Sequence, residues 1–201
     1  AVDGPAASGK GTLAQRLADF YGLPLLDTGL LYRAVGIATP DLSDAAAAEA
    51  AARTLSPRDL EAPAVRTRAA GEAASRVAVY PGVRASLIDF QRAFASQPGG
   101  AVLDGRDIGT VIAPQAPAKL YVTATPEVRA ERRRRQLEAQ GEAVPFEEVL
   151  ADILKRDARD GGRETAPMAA AKDAILLDTS EMTIDRAFDA ARRIVEAARA
   201  R

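Results

Sequence analysis

The 201-residue chain contains no cysteine and no histidine, and only four of its 27 basic residues are lysine. Without cysteine there are no disulfides, thiolate metal sites or cysteine nucleophiles. Without histidine there are no imidazole bases or imidazole metal ligands. Any metal must be held by oxygen, which points to ions of the Mg2+ type. No apolar run approaches the roughly 20 residues of a membrane span. No signal peptide is visible, and a cytoplasmic location is expected. The chain opens at Ala1-Val2-Asp3 without Met, so the start of the first strand is expected to lie outside this numbering. The formal charge is −1 and the pI about 5.7. No global basic field recruits nucleic acid.

What is present is mostly alanine and arginine. The length predicts one domain, or one domain carrying small lobes. The many alanines mark helix rather than bulk. Short apolar runs at 1–4, 23–26, 101–104, 118–123 and 175–178 read as strands, each bounded by turn residues. Helical spacing fills 10–21, 28–37, 44–54, 69–79, 81–96, 126–140, 145–160 and 183–199, and Thr28 is a candidate cap for the second of these. Strands alternating with helices predict an α/β fold with a parallel sheet covered on both faces. Ligands of such sheets sit beyond the carboxyl ends of the strands, where Gly4, Asp27, Asp104 and Thr123 fall.

The first motif is Gly4-Pro5-Ala6-Ala7-Ser8-Gly9-Lys10-Gly11-Thr12. Glycines let backbone N–H groups converge on an anion, and the helix that follows adds its positive end. Lys10 reaches β- and γ-phosphates in this reading, and the hydroxyl of Thr12 orients Mg2+. The alternative is a glycine-rich strand–helix turn without a ligand. Asp104 is a second Mg2+ candidate through a bound water, or else a helix cap, and Asp27 carries the same ambiguity. Arg156, Arg159 and Arg163 fall on one helix face if the helix outlasts Gly161; otherwise Gly161-Gly162 releases Arg163 into a mobile segment. The bland reading is a solvated helix whose arginines pair with Asp152, Asp157 and Asp160. Arg132 to Arg135 point around a helix rather than along one face, which predicts a solvated, lid-proximal helix and not a nucleic-acid patch, with one or two of these arginines in reach of a bound nucleotide.

The phosphate loop with its Gly-Lys-Gly-Thr ending is similar to that of nucleoside monophosphate kinases. Leu26-Asp27-Thr28-Gly29 with Tyr32-Arg33, Asp104-Gly105-Arg106-Asp107-Ile108-Gly109-Thr110 and Arg156-Asp157-Ala158-Arg159-Asp160-Gly161-Gly162-Arg163 narrow the match. Together they resemble the bacterial cytidylate kinases over essentially the whole chain. The resemblance implies a P-loop NTPase-type sheet in a single kinase domain, 1–201. It also implies an acceptor-nucleotide lobe over 28–97 and a lid over 141–165. The implied activity moves the γ-phosphate of ATP to CMP or dCMP with Mg2+, in a monomer without nucleic-acid or membrane partners. Gly4 to Thr12 would bind ATP. Thr28 falls where the family has a small hydroxyl residue touching the acceptor. Arg33 and Arg106 match arginines near the acceptor phosphate. Ser75, Arg84 and Asp107 match cytosine-contacting positions, although Arg84 and Asp107 also suit an ordinary ion pair. Arg156 and Asp160 match lid residues near the acceptor sugar, and Arg163 a lid arginine near the phosphates. Many relatives carry a small strand-containing lobe before Ser75; residues 40–71 are short, Ala-rich and without strand pattern. Other acceptors (UMP, AMP or a shikimate-like molecule) and a non-catalytic nucleotide-binding module are the competing readings.

That activity suits this composition. The nucleophile is a phosphate oxygen already anionic at neutral pH, so no imidazole base is needed. Phosphoryl transfer needs alignment and positive charge on the transferring oxygens. Arginine supplies both through a planar fork that keeps its proton. Cytosine presents O2 and N3 as acceptors and its amino group as donor, which Arg84, Ser75 and Asp107 can complement.

Overall fold

The computed structural model describes residues 1–200. Five short strands, β1 (Val2–Asp3), β2 (Leu25–Asp27), β3 (Val102–Gly105), β4 (Leu120–Thr123) and β5 (Ile175–Asp178), form one sheet in the order β2-β3-β1-β4-β5. Every pairing is parallel. Helices α1 (Lys10–Tyr21), α2 (Thr28–Ala38), α3 (Ala45–Arg53), α4 (Pro57–Glu61), α5 (Arg68–Val77), α6 (Pro81–Ala95), α7 (Pro126–Ala139), α8 (Phe146–Gly161) and α9 (Ile184–Arg199) supply the crossovers and the outer layers. The expected fold class is the one observed.

Strand alternation sends Val2, Leu120, Val122 and Leu177 to a core with Leu13 and Leu17 of α1 and Ala187 and Ala191 of α9. Leu26 and Leu103 face the other side, against Ile108, Ile112 and the α6 residues Ile88 and Phe94. Between β2 and β3 the chain forms helices and no strand, including α4 and a 3-10 turn at Pro63–Arg66 that the sequence pattern did not single out. Alanine explains how these helices pack. A Cβ on Gly36 of α2 would lie 2.7 Å from that of Ala73 on α5, so the two helices approach more closely than larger side chains allow.

One local expectation changes. Thr28 is the first residue of α2 and not its cap; the Asp27 carboxylate accepts from the Gly29 N–H at 2.9 Å. The freed Thr28 hydroxyl donates instead to the Asp104 carbonyl at 2.8 Å. After β3 the chain makes a π-helical turn, Ile108–Ile112. It is held by buried Asp3, whose two carboxylate oxygens accept from the N–H groups of Ile108 and Gly109, each at 2.8 Å. Burial raises the Asp3 carboxyl above its ordinary value in spite of those two bonds.

Gly4 ends β1 with φ +146°, and a Cβ there would lie 2.0 Å from the Val122 carbonyl oxygen on the neighbouring strand. Neither partner is a flexible side chain. Gly4→Ala is expected to cost more than about 3 kcal/mol, in the range of forced overpacking and strained backbone combined. Urea unfolding measures it, and a loss below about 1 kcal/mol would contradict the packing described.

Candidate active site

Parallel register brings the strand ends together: Asp27 of β2 lies opposite Asp104 of β3, and Asp3 of β1 opposite Gly105. The loop Gly4 to Gly9 rises from β1 at the middle of this row and turns into α1. Its turn needs positive φ at Gly4, Ala7 and Gly9; Ala7 does so at +59°, a conformation costly for a side chain with Cβ. Pro5 is buried, and Ser8 is fully buried with its hydroxyl unpartnered. A cleft of about 720 Å³ opens beside the loop, and Ala6, Ala7, Lys10 and Gly11 line it from this side. Thr12 is exposed and not among the residues lining that cleft. A Cβ built on Gly11 would lie 3.1 Å from the Asp104 carboxylate; Thr12, one residue on, is turned about 100° around the helix.

Lys10 Nζ stands 3.5 Å from Asp104 Oδ1, too long for a good hydrogen bond, and that buried oxygen has no other partner. Burial is the main influence on both groups. It pulls the Lys10 ammonium down and pushes the Asp104 carboxyl up to about 6, against the opposing pull of each on the other. A carboxyl raised in the folded state binds protons over a wider pH range than in the unfolded chain. Its favourable contribution is present below the unfolded value of 3.8 and is lost as pH rises through about 6. In nucleotide-free protein, the stability of Asp104→Asn relative to the parent should therefore rise between about pH 4 and pH 7, by on the order of 3 kcal/mol. Denaturation at several pH values tests this; a flat difference would place Asp104 in water.

Beyond Asp104 the cleft meets a second, much smaller cavity. Gly29, Arg106 and Arg156 line both. Thr28, Ser75, Arg84, Asp107 and Arg163 line the smaller one. Distant segments thus converge as the sequence motifs suggested. Fully buried Asp160 is the centre of the cluster. It accepts from Arg106 Nε at 2.6 Å, pairs closely with Arg163, and lies 3.7 Å from Arg156 Nε. Burial alone would raise the Asp160 carboxyl, but Arg106, Arg163 and Arg156 hold it below its ordinary value. Three guanidinium groups share that one carboxylate, and Nε of both Arg156 and Arg163 is buried without a hydrogen-bond partner. Burial depresses both of these arginines, and the neighbouring Arg106 adds to the effect.

The smaller cavity has a volume of only about 30 Å³, room for one water. Arg84 and Asp107, both buried, pair directly with each other, so each of these groups already has an ionic partner. Ser75 Oγ reaches Asp160 at 3.4 Å. Arg33 lines the larger cleft and donates to the Val65 carbonyl at 3.1 Å.

The arginine helix departs from the first two sequence alternatives and meets the third in part: Arg156 and Arg163 both pair with Asp160, but in a buried setting and not a solvated one. α8 ends at Gly161, yet Arg163 is not released, because Asp160 holds it. Arg159 turns away and donates to Glu72 of α5. Of the four arginines at 132–135, Arg134 and Arg135 pair with Glu131 on the surface. Arg132 bonds the Ser8 carbonyl, and Arg133 lines the cleft. The sequence reading also passed over Arg129, which is 3% exposed and bonds the Ala6 carbonyl. Its only signal was an arginine four residues into a helix that starts beside the sheet.

Among the described residues, no group of three or more Asp, Glu, His or Cys side chains could hold a metal ion, and no helix is long and apolar enough to cross a membrane.

The cytidylate kinase family model matches residues 1–197. A cytidylate kinase of Caulobacter vibrioides (strain NA1000 / CB15N) is 72% identical over 205 residues, covering 100% of this chain and 96% of that protein. A cytidylate kinase of Xanthobacter autotrophicus is 64% identical over 203 residues, covering 100% and 98%. Among solved structures, an uncharacterized protein from Eubacterium ventriosum matches with a TM-score of 0.55 over 100% of this chain and 97% of that one; at 14% identity it speaks for the fold alone. With the parallel sheet, the phosphate loop and the arginine-rich junction in place, the sequence match over nearly the whole chain makes this protein a member of the cytidylate kinase family.

Proposed function

We propose that the protein transfers the γ-phosphoryl group of ATP to CMP or dCMP, giving ADP and CDP or dCDP. The observation that carries this reading is the arginine cluster. Three guanidinium groups on one carboxylate leave positive charge buried at the junction of two cavities. Buried charge of one sign is costly until an opposite charge arrives. Phosphate oxygens are the anions that match arginine forks.

The phosphate loop and Lys10 receive the ATP phosphates in this reading, and Arg33, Arg106 and Arg163 hold the acceptor phosphate and the group in flight. Arg156 and Asp160 stand near the acceptor sugar. Thr28, Ser75, Arg84 and Asp107 surround the base, which must widen the small cavity to enter. The acceptor lobe is 28–97. The lid is 141–165, and its closing keeps water from the γ-phosphate. Ion pairs from Arg68 to Glu148 and Asp152, and from Glu72 to Arg159, already join α5 to α8 across the cleft. The substrates are small nucleotides, and the protein acts as a cytoplasmic monomer.

Mg2+ fits this site in one way. Such an ion takes one or two carboxylates and completes its shell with phosphate oxygens and waters. The unpartnered buried oxygen of Asp104, beside Lys10, is a suitable first contact, directly or through water. When bound, the ion neutralises charge on the ATP phosphates.

An ADP-release assay with ATP and Mg2+ against CMP, dCMP, UMP, AMP, GMP, shikimate and no acceptor tests the reading. Release with CMP and dCMP alone is expected. Release only with UMP or AMP would keep the phosphate loop and overturn the roles of Ser75, Arg84 and Asp107. Folded protein that releases ADP with none of them is not a kinase of this class.

A further inference from the structure

The backbone of a phosphate-binding loop turns its N–H groups toward the anion, so its carbonyls face back into the protein. Two of those carbonyls are met here by guanidinium groups from a single helix. Arg129 Nη1 donates to the Ala6 carbonyl at 3.3 Å, and Arg132 Nη1 donates to the Ser8 carbonyl at 3.1 Å. The two arginines are three residues apart on α7, on one side of it. Arg132 is fastened at its other end to Thr179, after β5.

Arg129 is placed more tightly. Its Nε donates to the Ala124 carbonyl at 2.9 Å. Its two terminal nitrogens grip Asp157 of α8 in a two-point contact, at 3.1 and 2.5 Å. Asp157 follows Arg156 directly and precedes Asp160 by three residues on the same helix. One guanidinium therefore touches the end of β4, the back of the phosphate loop, and the helix that carries the arginine cluster. Buried at 3% exposure, it has no route to substrate. Resting on the reading of the site given above, we propose that Arg129 is a positioning residue that joins the phosphate loop to α8 through Asp157, so that a nucleotide on the loop sets the placement of Arg156 and Asp160 for the acceptor.

Two coupled sites bias each other equally. The test measures CMP affinity by calorimetry in the parent, Arg129→Lys, Arg129→Met and Asp157→Asn. Each is titrated with and without a saturating non-hydrolysable ATP analogue, and the affinity for the analogue is measured alongside. In the parent the analogue should tighten CMP by about 10-fold, within the usual span of site-to-site coupling. In Asp157→Asn the factor should fall below about 2-fold, with the affinity for the analogue alone little changed. Asp157 is partly exposed, so this variant is the one expected to fold without difficulty. Arg129→Met should lose the coupling and also weaken the analogue about 10-fold, because the loop carbonyl loses its donor. Arg129→Lys, a point charge without the fork, should recover analogue affinity in part and coupling not at all. An unchanged coupling factor in folded Asp157→Asn would overturn the proposal. So would a loss of CMP affinity with no change in the factor, which marks a purely structural role. If the parent bound the analogue but no CMP, the acceptor reading would fail instead, and the analogue affinity of Arg129→Met would still decide whether the arginine positions the loop.

Discussion

Lys10→Ala is expected to lower kcat with ATP and CMP by about 10³-fold or more while leaving the protein folded. The magnitude follows from the role: a fixed positive charge on phosphate oxygens in a site with little water contributes far more than the same charge in solution. Survival of the fold follows from the ledger around Asp104. Burial already works against the Lys10 ammonium, so removing it relieves a desolvation penalty. The carboxylate left behind can take up a proton, because burial has raised its carboxyl to about 6. At neutral pH each unit of separation costs only about 1.4 kcal/mol. Steady-state kinetics with a thermal melt checks both halves. Turnover near the parent's would remove Lys10 from the chemistry, and an unfolded variant would show that the pair with Asp104 is structural.

The second large effect belongs to the base. Arg84→Met should reduce kcat/KM for CMP by about 10³-fold or more and erase the preference for CMP over UMP, with ATP affinity unchanged. Sites built from hydrogen-bonding groups can discriminate this strongly, because the wrong base leaves them unpaired. The variant also strands Asp107, a buried carboxylate, at a cost of about 3–5 kcal/mol. The double variant Arg84→Met with Asp107→Asn separates the two effects: it should regain most of the stability and none of the CMP use. CMP kinetics equal to the parent's in Arg84→Met would refute the cytosine assignment. An equal fall in ATP affinity would show general damage.

The Arg84–Asp107 ion pair explains why these two residues suited two readings in the sequence. The structure shows the ion pair that the bland reading called for, and it shows the pair beside Ser75, Arg106 and Arg163. The two are compatible. The groups proposed to read the base pair with each other, and parting them is a cost to acceptor binding.

Strand and helix positions were legible because each depends on neighbours in sequence. Apolar runs bounded by turns gave the five strands, and side-chain spacing gave the long helices. Gly4 to Lys10 could be read as a phosphate loop because its backbone demands are local. Asp27 and Thr28 show where local reading stops. Either can cap a helix, and the choice is made by Asp104, whose carbonyl takes the Thr28 hydroxyl from another strand. Thr12 shows the same: the motif supplies a hydroxyl, and where that hydroxyl stands relative to the cleft depends on the rotation of α1.

By itself the sequence determined the fold class, the phosphate loop and the absence of imidazole and thiol chemistry, since these follow from composition, short-range periodicity and backbone preference. Only the tertiary structure decided which charged side chains share a site. Arg106, Arg156 and Arg163 meet on Asp160 because β3 and the end of α8 are brought side by side. Arg159, on the same helix, is turned to Glu72 instead. Arg129, unremarked in the sequence, stands behind the loop because α7 leaves β4 just there. Charge acts through space and falls off over a few ångströms in a screened medium, so its partners are set by packing and not by order along the chain.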